Sequence, residues 1–176
     1  MSYLFAALFA LLITGHSTAT ELPPLHAGLN DFAGVFPPAS ADDLTERLRR
    51  FKTETAASVV VLTIKSLDGA TMENFSGNAF KLLSLTPTEL AKTALLVVAR
   101  KEHLVGLQTG AELRPLLPKP AATRKLQAQV DLYRDGLRPD LGVHGAVHYL
   151  FRVIRGDIRV GSQTEIFGQI GQINHW

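Results

Sequence analysis

Two short stretches constrain this chain more than any other feature. Residues 58–65 (SVVVLTIK) and 94–99 (ALLVVA) are almost continuously apolar and rich in β-branched or aliphatic side chains. A strand with one wet face alternates polar and apolar residues. Strands without that alternation are buried on both faces, as in the middle of a sheet covered above and below. The layers that cover them must come from helices elsewhere in the chain.

The flanking segments supply those helices. Ser40, with Asp42 and Asp43 after it, is placed as an N-cap before Leu44, Leu48 and Phe51 at i, i+4, i+7, a pattern that predicts a helix to about Lys52. Ser66-Leu67-Asp68-Gly69 breaks the first strand, and Thr71 opens a second helix with Met72, Phe75, Ala79, Leu82 and Leu83 on one side. After the second strand, Arg100-Lys101-Glu102 turns the chain so briefly that residues 103–108 must return antiparallel. Beyond Pro115, Pro118 and Pro120 two further helices are predicted, about 121–133 and 141–154, the latter with Asp140 as N-cap. Residues 155–176 carry several glycines and little periodicity; they read as a C-terminal extension, either mobile or adding a short strand around 157–160. The order α-β-α-β-β-α-α describes a single α/β domain, a three-layer α/β/α sandwich around a mixed open sheet.

The N-terminus obeys different rules. Tyr3 to Ile13 is an unbroken apolar run, and Ser17-Thr18-Ala19 provides the small residues that a signal peptidase reads. Residues 1–19 therefore read as a signal peptide and 20–28, with Pro23-Pro24, as a linker. No basic residue precedes the run, so an uncleaved N-terminal anchor is the rival reading, although eleven apolar residues fall short of the ~20 that span a bilayer. The mature chain is therefore expected to be exported, on the far side of a membrane, soluble and without a transmembrane helix.

Composition then closes several chemistries. The chain has no cysteine, which removes disulfides, thiolate metal sites and cysteine nucleophiles. A net charge of +2 gives no reason to expect a nucleic-acid partner. Asp-x-Asp-x-Thr, Gly-x-Ser-x-Gly and Arg-His-Gly signatures are all absent from the sequence. His144 and His148 stand four apart on one predicted helix but enclose Gly-Ala-Val rather than a glutamate, so they read as ordinary helix residues.

The phrase Leu29-Asn30-Asp31-Phe32-Ala33-Gly34-Val35-Phe36 and the helix after it resemble the TPM domain family. The likeness continues through 58–64 with Ser66-Leu67-Asp68-Gly69, then 94–99, Gly110-Ala111-Glu112 and Leu116-Leu117-Pro118. It covers residues 29–154. The resemblance implies an α/β domain outside the cytoplasm that assists membrane complexes, with phosphatase activity in some members and calcium binding in others.

One departure bears on the cation. Where the family often carries Asp-Asn-Gly before its second strand, this chain has Ala91-Lys92-Thr93. Asp31, Asp68 and Glu112 remain as candidate metal ligands, with Lys92 standing where an acidic group is expected. Ca²⁺ takes about 6–8 oxygen ligands, several of them carboxylates. It is the one cofactor that the resemblance admits, and the lysine argues against a resident ion. The rival reading of Asp31 is a cap for the Phe32-Ala33-Gly34 turn, and an ion pair with Lys92 is a further expectation if the two are neighbours. The sequence thus points to an exported accessory domain acting on an envelope or membrane-complex protein, without catalysis. A weak metal-dependent phosphatase is the alternative.

Overall fold

The computed structural model describes residues 22–133, 136 and 138–160, so the expected signal peptide lies outside the described residues. Four strands, β1 (Leu29–Asp31), β2 (Ser58–Ile64), β3 (Thr93–Ala99) and β4 (Leu104–Thr109), form one sheet in the order β1-β2-β3-β4. The first three are parallel and β4 is antiparallel to β3, as the short turn between them requires. All seven residues of β2 and all seven of β3 are buried.

The pleat sorts them between two cores. Val59, Val61, Ala94, Leu96 and Val98 face a layer built from α1 (Pro38–Thr55), α4 (Lys119–Asp131) and α5 (Pro139–Arg155). Val60, Leu62, Ile64, Leu95, Val97 and Ala99 face α2 (Met72–Lys81), with the short α3 (Pro87–Ala91) beside it. In the first core, Phe51 of α1 stacks on Phe151 of α5 with ring centroids 4.0 Å apart. The three-layer α/β sandwich follows directly from two strands with no polar face.

Several boundaries differ from the sequence reading, each for a physical reason. β1 is too short to show alternation and exists through its pairing with β2, Leu29 to Val61 and Asp31 to Thr63. α1 begins after Pro37, with proline pre-set at its first position. Ser40 is therefore inside the first turn, free to use its hydroxyl elsewhere. Likewise Arg138, not Asp140, is the N-cap of α5, and Asp140 is buried in the first turn. α3 carries a capping box, Thr86 with Glu89, a signal present in the sequence but set in too short a segment to show periodicity. The 20–28 linker contributes Leu25, 1% exposed, to the α2-side core. Residues 157–160 form no strand; Ile158 and Val160 pack against the α1-side core after Gly156 ends α5 in a left-handed cap.

One glycine is required by close approach. The turn after β4 lies on the start of β3, with Gly110 N–H donating to Thr93 O at 2.8 Å. A Cβ at Gly110 would overlap the backbone of Leu90 and Ala91, whereas one at Gly77 on α2 meets only Gln108 Nε2 at 3.7 Å. Gly110→Ala is expected to lower stability by about 1–3 kcal/mol, and Gly77→Ala to raise it by roughly 0.5–1 kcal/mol. Urea denaturation of the two variants checks both signs.

Candidate functional site

The carboxyl edge of β1, β2 and β3 is where open α/β sheets place their ligands. Asp31 ends β1 at this edge. Its Oδ1 accepts from the Thr63 hydroxyl and from Val35 N–H at 3.0 Å, and its Oδ2 accepts from Phe36 N–H at 3.0 Å. Thr63 Oγ in turn accepts from Ala33 N–H at 3.2 Å. The carboxylate thus folds residues 32–36 around itself, much as a capping aspartate holds a turn. Asn30 before it is buried, its Oδ1 accepting from His26 N–H and its Nδ2 donating to His26 O, both at 2.9 Å. Both halves of the Asn30-Asp31 phrase therefore have structural work at this place.

The loop that Asp31 fixes forms one wall of a cleft of about 740 Å³. Ala33, Val35, Val98, Val130, Pro139 and Val143 give it an apolar floor. Its rim carries three cations, Lys65, Arg100 and Lys101, with His103 beside them. Backbone pairing explains the clustering: Arg100 N–H donates to Ile64 O at 2.9 Å and Lys101 N–H to Lys65 O at 3.0 Å, carrying the β2–β3 ladder past the strand ends. The alternation that sends Val61 and Val98 to the α1 side sends Lys65 and Arg100 there too. Arg100 Nη1 donates to Ala33 O at 3.4 Å. Among the described residues, none of Lys65, Arg100 and Lys101 is in an ion pair. Asp131, the carboxylate in the lining, accepts from Gln127 Nε2 at 2.9 Å.

The three carboxylates proposed from sequence do not converge. Asp68 lies in the loop after β2, on the same edge as Asp31, in the left-handed region at φ 48°. Glu112 follows the far end of β4 and lies at the opposite edge, since Thr109 pairs with Ala94 at the start of β3. β3 is seven residues long, so the two edges are about 20 Å apart at ~3.3 Å per residue. Lys92 sits at that opposite edge too and pairs with Glu112 at 3.9 Å, not with Asp31. Among the described residues, no three His, Asp or Glu side chains are grouped to hold a metal ion.

Two polar features escaped the sequence reading. Glu102, in the β3–β4 turn, accepts from Ser66 Oγ at 2.8 Å and Leu67 N–H at 3.0 Å, tying that turn to the loop bearing Asp68. Its other oxygen, Oε2, is buried without a hydrogen-bond partner. The second feature joins α1 to α5. Arg47 Nη1 lies 3.1 Å from His144 Nδ1, and His144 Nε2 lies 2.9 Å from Ser40 Oγ, which donates to Asp140 Oδ2 at 2.7 Å. Arg138 closes the chain with two bonds to Asp140, at 3.0 and 2.8 Å. Because a guanidinium only donates, Nδ1 accepts and Nε2 carries the proton. The imidazole is thus neutral and donates to the serine, the reverse of a nucleophile-activating pair. A serine and a histidine 104 residues apart carry no sequence signal of this contact.

Electrostatics agree with that assignment. Burial, reinforced by Arg47, holds the His144 pKa below its ordinary value, against smaller opposite effects of Asp43 and Asp140. Hydrogen bonds from Arg138, partly offset by burial, with Ser40 adding to them, hold Asp140 at about 2. His148, one turn further on and more exposed, is shifted down too, by partial desolvation reinforced by Arg47, Arg152 and Arg155.

Comparison with known proteins is consistent with this architecture. The TPM domain family matches residues 29–153, and the chain belongs to it. Its fold is similar to a solution structure of the N-terminal domain of a protein from P. gingivalis, at 20% identity and TM-score 0.66, covering 77% of this chain and 87% of that one. It is also similar to the N-terminal domain of a protein from Corynebacterium glutamicum, at 13% identity and TM-score 0.51, covering 86% of this chain and 89% of that one. No curated protein sequence matches the chain.

The α1–α5 network generates a pH prediction. His144 and His148 are both depressed relative to their unfolded value of about 6.5, so the unfolded chain binds more protons than the folded one as pH falls. Their contribution to stability is complete above about pH 6.5 and is lost as pH drops through their folded values. Melting midpoints should therefore fall between pH 7.5 and pH 5. His144→Gln, which keeps one donor and one acceptor, should reduce the slope, and the double variant with His148→Gln should reduce it further. A slope unchanged by both substitutions would contradict the network.

Proposed function

We propose that this TPM domain is an exported accessory domain that docks a segment of an envelope or membrane-associated protein in the carboxyl-edge cleft, and that it acts without catalysis. The observation that carries this reading is the cleft itself, an apolar floor under a rim of cations at the edge of the sheet where ligands bind. Export is supported by the apolar run from Tyr3 to Ile13 with Ala19 after it. Among the described residues no helix is long and apolar enough to cross a membrane.

The phosphatase alternative needs a metal to generate hydroxide and to stabilise the leaving oxyanion. Two of its three ligands would be Asp31, already engaged by three donors, and Glu112, at the opposite edge. The donor set therefore does not fit a single ion.

A photo-crosslinking residue in place of Lys101, in the full chain expressed in its native host, is expected to give a discrete adduct in the envelope fraction. The purified chain is expected to show no turnover of p-nitrophenyl phosphate with millimolar Ca²⁺ or Mg²⁺. Absence of an adduct would contradict docking at the cleft. Metal-stimulated turnover abolished by Asp31→Asn would replace the accessory reading with the phosphatase one.

A further inference from the structure

Like charges side by side across neighbouring strands destabilise a sheet. The β2–β3 ladder nevertheless places Lys65 beside Arg100, with Lys101 next in the chain, and among the described residues no carboxylate pairs with any of the three. Several exposed cations elsewhere are paired: Arg49 with Glu46 at 2.7 Å, Lys52 with Glu89 at 3.1 Å, Lys119 with Glu73 at 2.5 Å and Arg155 with Glu54 at 2.6 Å; what sets the cleft apart is that its three cations adjoin one another. The nearest acid in the sequence, Glu102, feels the charge of Lys101 but makes no ion pair with it; its Oε1 is held by Ser66 and Leu67.

We infer that the occupant of this cleft is an acidic peptide segment of the partner, its carboxylates meeting Lys65, Arg100 and Lys101 and an aliphatic side chain entering the apolar floor. The inference rests on the docking reading above and names the chemistry that is recognised. Charge complementarity carries it: the three cations make no ion pair among the described residues and outnumber Asp131, the one carboxylate in the lining, so their mutual repulsion in the free chain is relieved when further carboxylates bind. The floor of Val35, Val98, Val130 and Val143 gives a bare phosphate nothing to bind, but suits a Leu, Ile or Val side chain. The arrangement also sets stability against function. Removing a cation relieves repulsion in the free protein and weakens the complex.

Fluorescence anisotropy with the full chain tests this. The probe is a labelled peptide of sequence Glu-Leu-Glu-Leu-Asp, compared with its isostere Gln-Leu-Gln-Leu-Asn. The acidic peptide should bind at least ten-fold more tightly and weaken as salt rises from 50 to 300 mM. Arg100→Gln and Lys101→Gln should each weaken it several-fold while leaving the melting midpoint unchanged or higher, and Lys81→Gln, on the α2 side of the sheet, should leave affinity unaltered. Equal binding of the neutral peptide, or unchanged affinity in both rim variants, overturns the inference. Displacement of the peptide by millimolar inorganic phosphate also overturns it, in favour of a small-anion site. An envelope adduct through position 101 with no preference for the acidic peptide would leave docking intact and refute only the recognition chemistry; failure of both refutes both.

Discussion

Everything in this domain depends on the parallel ladder between β2 and β3, which runs in register from Ser58–Thr93 to Ile64–Ala99 with every side chain buried. Neither strand has a polar face to show to water, so helices must cover both sides, and the chain supplies α1, α4 and α5 for one and α2 for the other. The same ladder defines the carboxyl edge and continues past it through the backbone of Lys65, Arg100 and Lys101. The cationic rim is thus a consequence of strand register, fixed by the most buried part of the molecule. A one-residue slip would exchange the two faces and send Lys65 away from the cleft.

Asp31 does the complementary work on the other side of that edge. A carboxylate bonded by two backbone N–H groups and a hydroxyl is held by charge-assisted bonds, roughly twice as strong as neutral ones. Those bonds shape the 32–36 loop that gives the cleft Ala33 and Val35. Phe36, at the end of this loop, meets the His144 ring edge-on at 5.7 Å. The loop is therefore coupled to the network through which Ser40, Arg47, His144, Asp140 and Arg138 join α1 to α5. α5 returns to the cleft through Pro139 and Val143. The walls of the cleft are thus fastened by polar groups and its floor by apolar packing.

Much of the fold was legible because burial leaves a strong imprint: residues 58–64 and 94–99 could only be central strands, and the brevity of Arg100-Lys101-Glu102 forced the hairpin. The TPM relationship was legible from the phrase at 29–36 and the order of elements, and the family match over 29–153 supports it. β1 and α3 were not, because three and five residues carry no period and take their identity from pairing and capping. The site was legible in part. Asp31 is at the expected edge, and the turn-capping reading describes its contacts better than the metal reading does. Glu112 and Lys92 looked close to that site in a linear comparison but belong to the other edge, because a seven-residue strand separates the two ends. The cationic cleft went unnoticed because Lys65 and Arg100 are 35 positions apart and only the ladder makes them neighbours.

The central proposal is that the carboxyl edge of this sheet receives an acidic segment through its cations rather than a metal through its carboxylates. The most direct measurement is an amide chemical-shift titration of the full chain, with the acidic peptide and with Ca²⁺ in parallel. The account predicts peptide-dependent shifts that concentrate at 33–35, 65, 98–103 and 139–143, with no saturable Ca²⁺ response at the same residues. Saturable Ca²⁺ shifts centred on Asp31 and Asp68, with the peptide leaving Lys65, Arg100 and Lys101 unmoved, would contradict it.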